Sequence, residues 1–343
     1  MLVSDPVDLS GRHVFITGGT GLLGKSLLDY VSESATIHGD NFRVTVMSRS
    51  PEDFLCKWPK YRNFRWLSVK QGDLKSFPPS DRSVTDFVHA AGETHSGMDK
   101  MLWTEQIVGG TASALDWAES AGARRFLLTS SGAVYGPQPP TIDRLVETYN
   151  GAPAPTDISS VYGQAKRVAE QLCTIFSASR SLQTVIARCF SIACPYVPLE
   201  GPYAIGNFIR DALTKDVIRV RGDGTAIRTY LFGRDVAHWL TTLLVRGTNG
   251  EAYNVGSDEA INMASLARLV ASVVSPGKPV VIENAIGDDD ASRSIYVPDI
   301  SKVGGLGLKV ETALQDAIRL SARIDRGIAQ TGDIPNLIWR DRN

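Results

Sequence analysis

A glycine-rich turn at residues 17–24, Thr-Gly-Gly-Thr-Gly-Leu-Leu-Gly, lies between a short β-branched run and a longer amphipathic stretch. Gly18 permits a tight turn, Gly21 lets the backbone approach a phosphate without an intervening Cβ, and Gly24 lets a helix pack closely on a strand. The helix that follows would present free N–H groups and the positive end of its dipole to an anion. This order of strand, turn and helix predicts a binding site for the diphosphate of a dinucleotide.

The first half of the chain alternates β-branched runs with amphipathic stretches, beginning with a predicted strand at residues 13–16 and a predicted helix at residues 22–31. This alternation is typical of βαβ crossovers and of a parallel sheet covered by helices on both faces. After residue 188 the sequence becomes richer in proline and glycine. We therefore predict an α/β fold, with a doubly wound parallel Rossmann sheet at 1–188, to which 235–256 returns, and a smaller C-terminal α/β substrate lobe at 189–343.

The composition excludes several classes of partner and site. The 343 residues carry a formal net charge of −1, so we expect neither nucleic acid nor a membrane as a partner. No apolar run reaches the roughly 20 residues of a membrane span, and residues 1–10 lack the pattern of a secretory signal. The four cysteines form no Cys-x-x-Cys pair and the five histidines are scattered. We therefore expect buried cysteines, no metal site and a cytoplasmic location.

The end of the second predicted strand bears on the choice of cofactor. A carboxylate there accepts hydrogen bonds from the ribose hydroxyls of NAD, whereas an arginine suits the 2′-phosphate of NADP. Arg49 stands at this point and favours NADP over NAD, although an exposed loop arginine is the simpler alternative. Asp73, after the third predicted strand, could accept a hydrogen bond from the adenine amino group. The expected NAD(P) contacts are Gly18, Thr20, Gly21, Leu22, Leu23, Arg49, Asp73, Leu74, Ala90, Ala91 and Gly92.

Tyr162 and Lys166 stand four residues apart on one face of a predicted helix. A nearby ammonium stabilises a phenolate and lowers the pKa of a tyrosine towards the range that proton transfer needs. The same ammonium can hold the ribose hydroxyls of the nicotinamide. Ser131 ends the fifth predicted strand, at the sheet edge where this ring should lie; the alternative is that residues 129–131 only terminate the strand. Together the pattern predicts Ser131, Tyr162 and Lys166 as catalytic residues, with Tyr162 and Lys166 also contacting the cofactor.

These motifs resemble the extended short-chain dehydrogenases/reductases, specifically the NAD(P)-dependent nucleotide-sugar epimerase/dehydratase family. The resemblance spans residues 17–302. It also rests on Ser-x-x-Val-Tyr-Gly at 131–136, on Gly-Asp-Gly-x-x-x-Arg at 222–228 and on Tyr-Asn-Val-Gly at 253–256. The resemblance implies redox chemistry on a nucleotide-activated sugar by hydride transfer at a sugar carbon, with a homodimer as a possible assembly.

The same resemblance implies roles for individual residues. Tyr162 would act as acid and base, Ser131 would assist it and bind the sugar, and Lys166 would bind the cofactor. Asn207, near a helix start in the second lobe, would meet the nucleotide. Arg228 and Arg293 would clamp its diphosphate, because a planar guanidinium binds phosphate oxygens bidentately.

The chain departs from the 4,6-dehydratases of this family at residues 131–133. Those enzymes carry Thr-Asp-Glu where this chain has Ser-Gly-Ala, so the acid/base pair that eliminates water is missing. An epimerase and an NADPH-linked 4-ketoreductase are therefore the leading alternatives, ahead of a dehydratase or a decarboxylase. A non-catalytic protein that senses a dinucleotide is the rival from another class. The combination of Ser131, Tyr162 and Lys166 argues against it, because a sensor needs no proton-transfer groups.

Overall fold

The computed structural model describes residues 4–80, 82–92, 99–283 and 294–323. Its strands are β1 His13–Thr17, β2 Arg43–Ser48, β3 Leu67–Gln71, β4 Asp86–His89, β5 Arg125–Ser131, β6 Gln183–Cys189, β7 Ile192–Ala193, β8 Ile218–Val220, β9 Ile227–Arg228, β10 Leu231–Phe232, β11 Ala252–Val255, β12 Ile261–Asn262 and β13 Val280–Ile282. Its α-helices are α1 Leu22–His38, α2 Pro51–Lys57, α3 Lys100–Ser120, α4 Val161–Ser179, α5 Ala204–Thr214, α6 Gly233–Arg246, α7 Met263–Val274, α8 Ser301–Gly304 and α9 Leu314–Ser321.

Seven strands form one parallel sheet in the order β11-β6-β5-β4-β1-β2-β3. Successive residues of β1 point to opposite faces of this sheet. Val14 and Ile16 join a core with α1 and α6, whereas Phe15 joins a second core with α3 and α4. Because helices cover both faces, the predicted doubly wound Rossmann fold is confirmed.

The strand order reverses beside β1. From this strand the chain builds β2 and β3 in one direction and β4, β5 and β6 in the other. Phe15, Phe87 and Phe126 stack across β1, β4 and β5, with ring centroids 5.3 and 5.0 Å apart, and fix these strands side by side. In open α/β sheets, ligands bind in the crevice at the carboxyl ends of the strands where the order reverses. The fold therefore places the glycine-rich turn at the ligand-binding edge.

A third hydrophobic core lies among α5, α7, α9 and β8, where Ile209, Ile218, Leu266 and Ile318 are almost fully buried. The later part of the chain also contributes to the large sheet, because β11 pairs with β6 and α6 packs against α1. In the described part of the chain, no helix combines the length and the apolar character that a membrane crossing requires.

Helices α1 and α2 differ from what the sequence predicted at these positions. Helix α1 continues to His38, about two turns beyond its predicted end, and stops at Gly39, whose φ is +83°. The apolar pattern fades earlier because buried positions of the last turns carry serines; the Ser34 hydroxyl donates to the Val7 carbonyl at 2.8 Å. Helix α2 was not predicted, although proline and acidic residues open its first turn. Its Cys56 is exposed, contrary to the expectation of buried cysteines, while the other three are buried.

The three glycines of the turn are required for different reasons. Gly18 has a φ of +70°, and a Cβ on it would lie 2.4 Å from the Ala90 carbonyl oxygen. A Cβ on Gly24 would lie 2.3 Å from the backbone of Gly19. At Gly21, by contrast, a Cβ would meet only the Gly18 carbonyl oxygen, at 3.2 Å. Packing of the protein therefore requires glycine at positions 18 and 24, and the space beside Gly21 is left for a ligand.

Paired alanine substitutions test this distinction. We expect Gly24→Ala to lower the free energy of unfolding by about 1–3 kcal/mol, because the helix must move off the turn. Gly21→Ala should change stability far less and yet weaken dinucleotide binding by roughly tenfold or more, because its methyl group occupies the ligand's space. Thermal unfolding and calorimetric titration with NAD⁺ measure the two effects. Unchanged NAD⁺ affinity in a folded Gly21→Ala protein would contradict the assignment of this turn.

Candidate active site

A cavity of about 710 Å³ opens at the carboxyl ends of the central strands. Its lining includes residues of the glycine-rich turn, of the ends of β4, β5 and β6 and of the segment 196–205, together with Arg228, Tyr230 and Tyr296. This volume suits a pair of extended ligands that meet end to end. Gly21 faces the cavity with little protein in front of it, so the residues present fit a dinucleotide diphosphate at this end.

The structure divides the predicted cofactor residues into two groups. Gly18, Gly21, Leu22, Leu23, Ala90 and Gly92 line the cavity, as do Tyr162 and Lys166. Thr20, Arg49, Asp73, Leu74 and Ala91 lie outside its lining. The structure therefore brings the first group together in the lining of the cavity and leaves the second group outside it.

The residues outside the lining have local roles in the fold. The Asp73 carboxylate accepts the backbone N–H groups of Lys75 and Ser76, both at 2.8 Å, and so holds the turn after β3. The Leu74 side chain packs against Gly110 of α3. Arg49 is exposed directly after β2, which leaves its guanidinium accessible to a ligand. Turn chemistry accounts for Asp73 without an adenine contact.

Ser131, Tyr162 and Lys166 come together in the lining of the cavity. Ser131 is the last residue of β5, and Tyr162 and Lys166 lie one turn apart near the start of α4. The Tyr162 hydroxyl is hydrogen-bonded to Ser131. The Lys166 ammonium donates to the Thr129 carbonyl oxygen at 2.9 Å, is 5.9 Å from the centre of the Tyr162 ring and lies beside Gly92. The three side chains therefore share one corner.

Burial has the largest effect on the pKa values of Tyr162 and Lys166. It raises the pKa of Tyr162 to about 12, with the Ser131 hydrogen bond acting in the opposite direction. Burial also lowers the pKa of Lys166 to about 8. The expected lowering of the Tyr162 pKa by Lys166 is thus wrong, because the ammonium donates to the Thr129 carbonyl and the effect of burial on the phenol is larger.

A buried ion pair holds α4 in place below the catalytic corner. Glu170, one turn after Lys166, accepts hydrogen bonds from Ser130 at 2.5 Å and from the Arg188 guanidinium at 2.8 Å. Arg188 also donates to Tyr135 at 3.0 Å, and Tyr135 donates to Asn254 of β11 at 2.7 Å. This chain of contacts joins β5, β6 and β11 to α4. A Tyr-x-x-x-Lys-x-x-x-Glu spacing was its signal in the sequence.

Tyr296 is an active-site residue that the sequence analysis missed. Its hydroxyl is hydrogen-bonded to Ser131, and its ring lies 4.5 Å from that of Phe190, centre to centre. Burial raises the pKa of this phenol as well. A Cβ on Gly132 would lie 2.4 Å from the Tyr296 hydroxyl oxygen, so the missing side chain at 132 makes room for this tyrosine. No local pattern around Tyr296 signals a contact that spans half the chain.

The predicted substrate residues also separate. Arg228 lines the cavity, donates to the carbonyl and hydroxyl oxygens of Ser294 at 2.7 and 2.9 Å, and has its pKa lowered by burial. Asn207 of α5 lies outside the lining, where its amide donates to the Gly201 carbonyl at 2.9 Å. Arg293 lies outside the described residues. Within the described ranges, no group of three or more histidine, cysteine or acidic residues is arranged to hold a metal ion.

Comparison with known proteins identifies the family. UDP-glucuronic acid decarboxylase 4 of Arabidopsis thaliana is 27% identical over 314 residues, which cover 91% of this chain and 68% of the relative. The structure of UDP-N-acetylglucosamine 4-epimerase from Methanobrevibacter ruminantium M1, in complex with UDP-N-acetylmuramic acid, matches with a TM-score of 0.78 and 19% identity over 93% of this chain and 99% of its own. That of UDP-glucuronic acid 4-epimerase from Bacillus cereus, in complex with NAD, matches with a TM-score of 0.76 and 18% identity over 93% and 100%.

A family model covers the sheet, the glycine-rich turn and the catalytic corner together. The model of the NAD dependent epimerase/dehydratase family matches residues 14–256, well over half of the chain. The resemblance drawn from the sequence motifs is confirmed: the protein is an enzyme of the NAD-dependent nucleotide-sugar epimerase/dehydratase family.

Proposed function

We propose that the protein transfers hydride between a carbon of a nucleotide-activated sugar and a nicotinamide, as an epimerase or a 4-ketoreductase. The observation that carries this proposal is the convergence of Ser131, Tyr162 and Lys166 in one corner of the cavity that the glycine-rich turn also lines. A dinucleotide laid from Gly21 to Lys166 would bring its nicotinamide to this corner. Arg228, which lines the same cavity, would then hold the diphosphate of the sugar nucleotide.

The mechanism divides the work among the three residues. The bound cofactor supplies a carbon that gives or takes hydride. When a sugar ketone is reduced, the Tyr162 phenol donates its proton to the carbonyl oxygen; a pKa of about 12 keeps this phenol protonated at neutral pH. Ser131, hydrogen-bonded to Tyr162, holds the same sugar oxygen. Lys166 would hold the ribose of the nicotinamide, and its positive charge would favour phenolate if the ammonium turned from the Thr129 carbonyl towards Tyr162.

The residues beside Ser131 support redox chemistry without loss of water. Gly132 and Ala133 carry no proton-transfer group, whereas elimination needs an acid for the leaving hydroxyl and a base for the neighbouring C–H. The Tyr296 phenol occupies the space next to Gly132. An epimerase needs only oxidation, rotation or enolisation of the ketone, and reduction; a ketoreductase needs the reduction alone.

Decarboxylation of UDP-glucuronic acid is the second candidate. The observation that favours it is the 27% identity to UDP-glucuronic acid decarboxylase 4 over 91% of this chain. Oxidation at C4 of a hexuronic acid gives a β-keto acid, which can lose CO₂ without an acid/base pair for elimination. The same catalytic corner would then serve, so residues 131–133 do not oppose this reaction as they oppose dehydration.

A substrate panel distinguishes these reactions. We expect the purified protein to convert at least one nucleotide sugar among UDP-, dTDP-, GDP- and CDP-hexoses, UDP-glucuronic acid and the 4-keto sugars. An epimerase gives an isomer with no net change in cofactor, a ketoreductase consumes NAD(P)H, and a decarboxylase releases CO₂ and a UDP-pentose. NMR of the products and absorbance of the cofactor at 340 nm separate the three. Binding of a dinucleotide without conversion of any of these substrates would favour the sensor instead.

Substitutions in the catalytic corner test the mechanism. Tyr162→Phe should reduce turnover by roughly 10²–10⁴-fold, the effect typical of losing a general acid/base, with little effect on stability. Ser131→Ala should act in the same direction, and the double variant should lose less than the product of both effects. Lys166→Met should impair turnover and cofactor affinity together. Near-full activity of Tyr162→Phe would show that this tyrosine transfers no proton.

Arg49 forms the basis of a prediction about the cofactor. We propose a preference for NADP(H), because an exposed guanidinium directly after β2 suits a 2′-phosphate. Arg49→Asp should weaken NADP⁺ binding by roughly tenfold or more, the value of a charge-assisted hydrogen bond, and spare NAD⁺. Calorimetry with both cofactors measures the change. Equal affinities in the unmutated protein would refute the preference.

A further inference from the structure

Lys25 places a positive charge at the glycine-rich end of the cavity. It lies in the first turn of α1, is partly buried and lines the cavity beside Gly21 and Leu22. Its ammonium donates to the Thr20 carbonyl oxygen at 3.1 Å and lies 5.2 and 5.1 Å from the ring centres of Trp58 and Tyr196. Two aromatic faces and the turn itself therefore hold this ammonium in one position.

The charges around Lys25 do not balance. Asp29, one turn further along α1, is fully buried, but its carboxylate pairs with Lys60 at 2.6 Å and accepts hydrogen bonds from Tyr61 at 3.1 Å and from Tyr196. Lys60 and Asp29 thus neutralise each other. In the described part of the chain, no carboxylate lies within ion-pair distance of Lys25. The cluster keeps a surplus positive charge that faces the cavity.

Keeping this surplus charge away from water is unfavourable in free energy unless an anion binds beside it. Burial lowers the pKa of Lys25 to about 8, which records the cost of keeping an ammonium away from water. A side chain that only packed between the rings of Trp58 and Tyr196 would need no charge, because an apolar chain would fill the same space. An ammonium has three N–H donors, and the Thr20 carbonyl takes one of them. A partly buried cation in a cleft, with donors to spare, is the arrangement expected of a binding group.

We propose that Lys25 binds the diphosphate of the dinucleotide cofactor through its ammonium group. The cofactor is favoured over the sugar nucleotide because Lys25 belongs to the helix that the glycine-rich turn opens and is hydrogen-bonded to that turn. Arg228 also lines the cavity, but its guanidinium lies 5.9 Å from the centre of the Tyr296 ring and donates to Ser294 rather than to the turn. Lysine is a point-charge ligand for phosphate, so it adds affinity to the backbone N–H groups of the turn without dictating a bidentate geometry.

The test compares Lys25→Met with Lys57→Met by calorimetric titration with NAD⁺ at constant ionic strength. Methionine keeps an apolar stem between Trp58 and Tyr196 and removes the charge. Lys57 is an exposed lysine in the same region, so its variant removes an equal charge from the surface. We expect Lys25→Met to weaken NAD⁺ binding by roughly 10- to 100-fold, as for the loss of a hydrogen bond to a charged group. Lys57→Met should change it less than about twofold.

A pH series separates charge from packing. Since the Lys25 pKa is about 8, the ammonium is present at pH 7 and largely lost at pH 9.5, so NAD⁺ affinity should fall as the pH rises. The charged and titratable groups around Lys25 are Asp29, Lys57, Lys60, Tyr61, Cys194 and Tyr196. Burial keeps Cys194 a thiol, with a pKa of about 11, and raises the pKa of Tyr61 and Tyr196 well above the ordinary value. Lys166, whose pKa is also about 8, contributes equally to all variants.

Lys25→Arg completes the series, because a guanidinium stays charged at pH 9.5. It should keep most of the NAD⁺ affinity at pH 7 and lose less of it than the unmutated protein at pH 9.5. An NAD⁺ affinity of Lys25→Met within twofold of that of the unmutated protein would overturn the proposal. A parallel titration with UDP gives a second outcome: weaker binding of UDP with unchanged binding of NAD⁺ would overturn it as well. If Lys25→Met fails to fold, a Lys25→Arg protein with unchanged pH dependence overturns it. None of these measurements uses turnover, so they stand whether or not the proposed reaction is found.

Discussion

A chain of hydrogen bonds through His89 joins the end of β1, where the glycine-rich turn begins, to Lys166. The His89 ring accepts or donates at the Thr17 hydroxyl, 2.7 Å away, at the end of β1. The Thr129 hydroxyl donates to the His89 carbonyl at 3.0 Å, and the Thr129 carbonyl accepts from Lys166 at 2.9 Å. Three adjacent strands are therefore locked at the same level. The distance between the glycine-rich turn and the catalytic corner depends on this lock.

The state of His89 is set by the same surroundings. Burial, assisted by the charge of Lys166, lowers its pKa to about 3, so the ring is neutral at every pH at which the enzyme would work. A charged imidazole here would repel Lys166 and the positively charged nicotinamide of an oxidised cofactor. A neutral ring instead supplies a fixed hydrogen bond at no electrostatic cost. The lock between the strands is thus compatible with a cation-rich site beside it.

The local motifs were predictable and the long-range partners were not. The glycine-rich turn and the Tyr162–Lys166 pair follow from spacing, because a turn and a helix fix which neighbours share a face. The contact of Tyr296 with Ser131 joins two distant segments, as do the contacts of Lys25 with Trp58 and Tyr196. The residues next to Tyr296 and Lys25 in the sequence do not predict these contacts. The sign of the Tyr162 pKa shift also required the structure, since the depth of burial decides it. Asp73 is a case in which the sequence pattern suggested a ligand contact, whereas the structure shows its carboxylate accepting a backbone N–H group of its own turn.

The contact between Gly132 and Tyr296 shows how one fold can support different reactions. A side chain at position 132 and a phenol at the place of Tyr296 cannot both occupy the space beside Ser131, because the Cβ alone would lie 2.4 Å from the hydroxyl oxygen. A chain with Asp at this position must therefore move or replace the tyrosine. A chain with Asp at position 132 would have a carboxylate here, which titrates in the acid range. This chain has instead the Tyr296 phenol, whose pKa is raised by burial. At neutral pH the buried phenol stays protonated, so it can hydrogen-bond to a neighbouring oxygen but cannot take a proton from carbon as a carboxylate could.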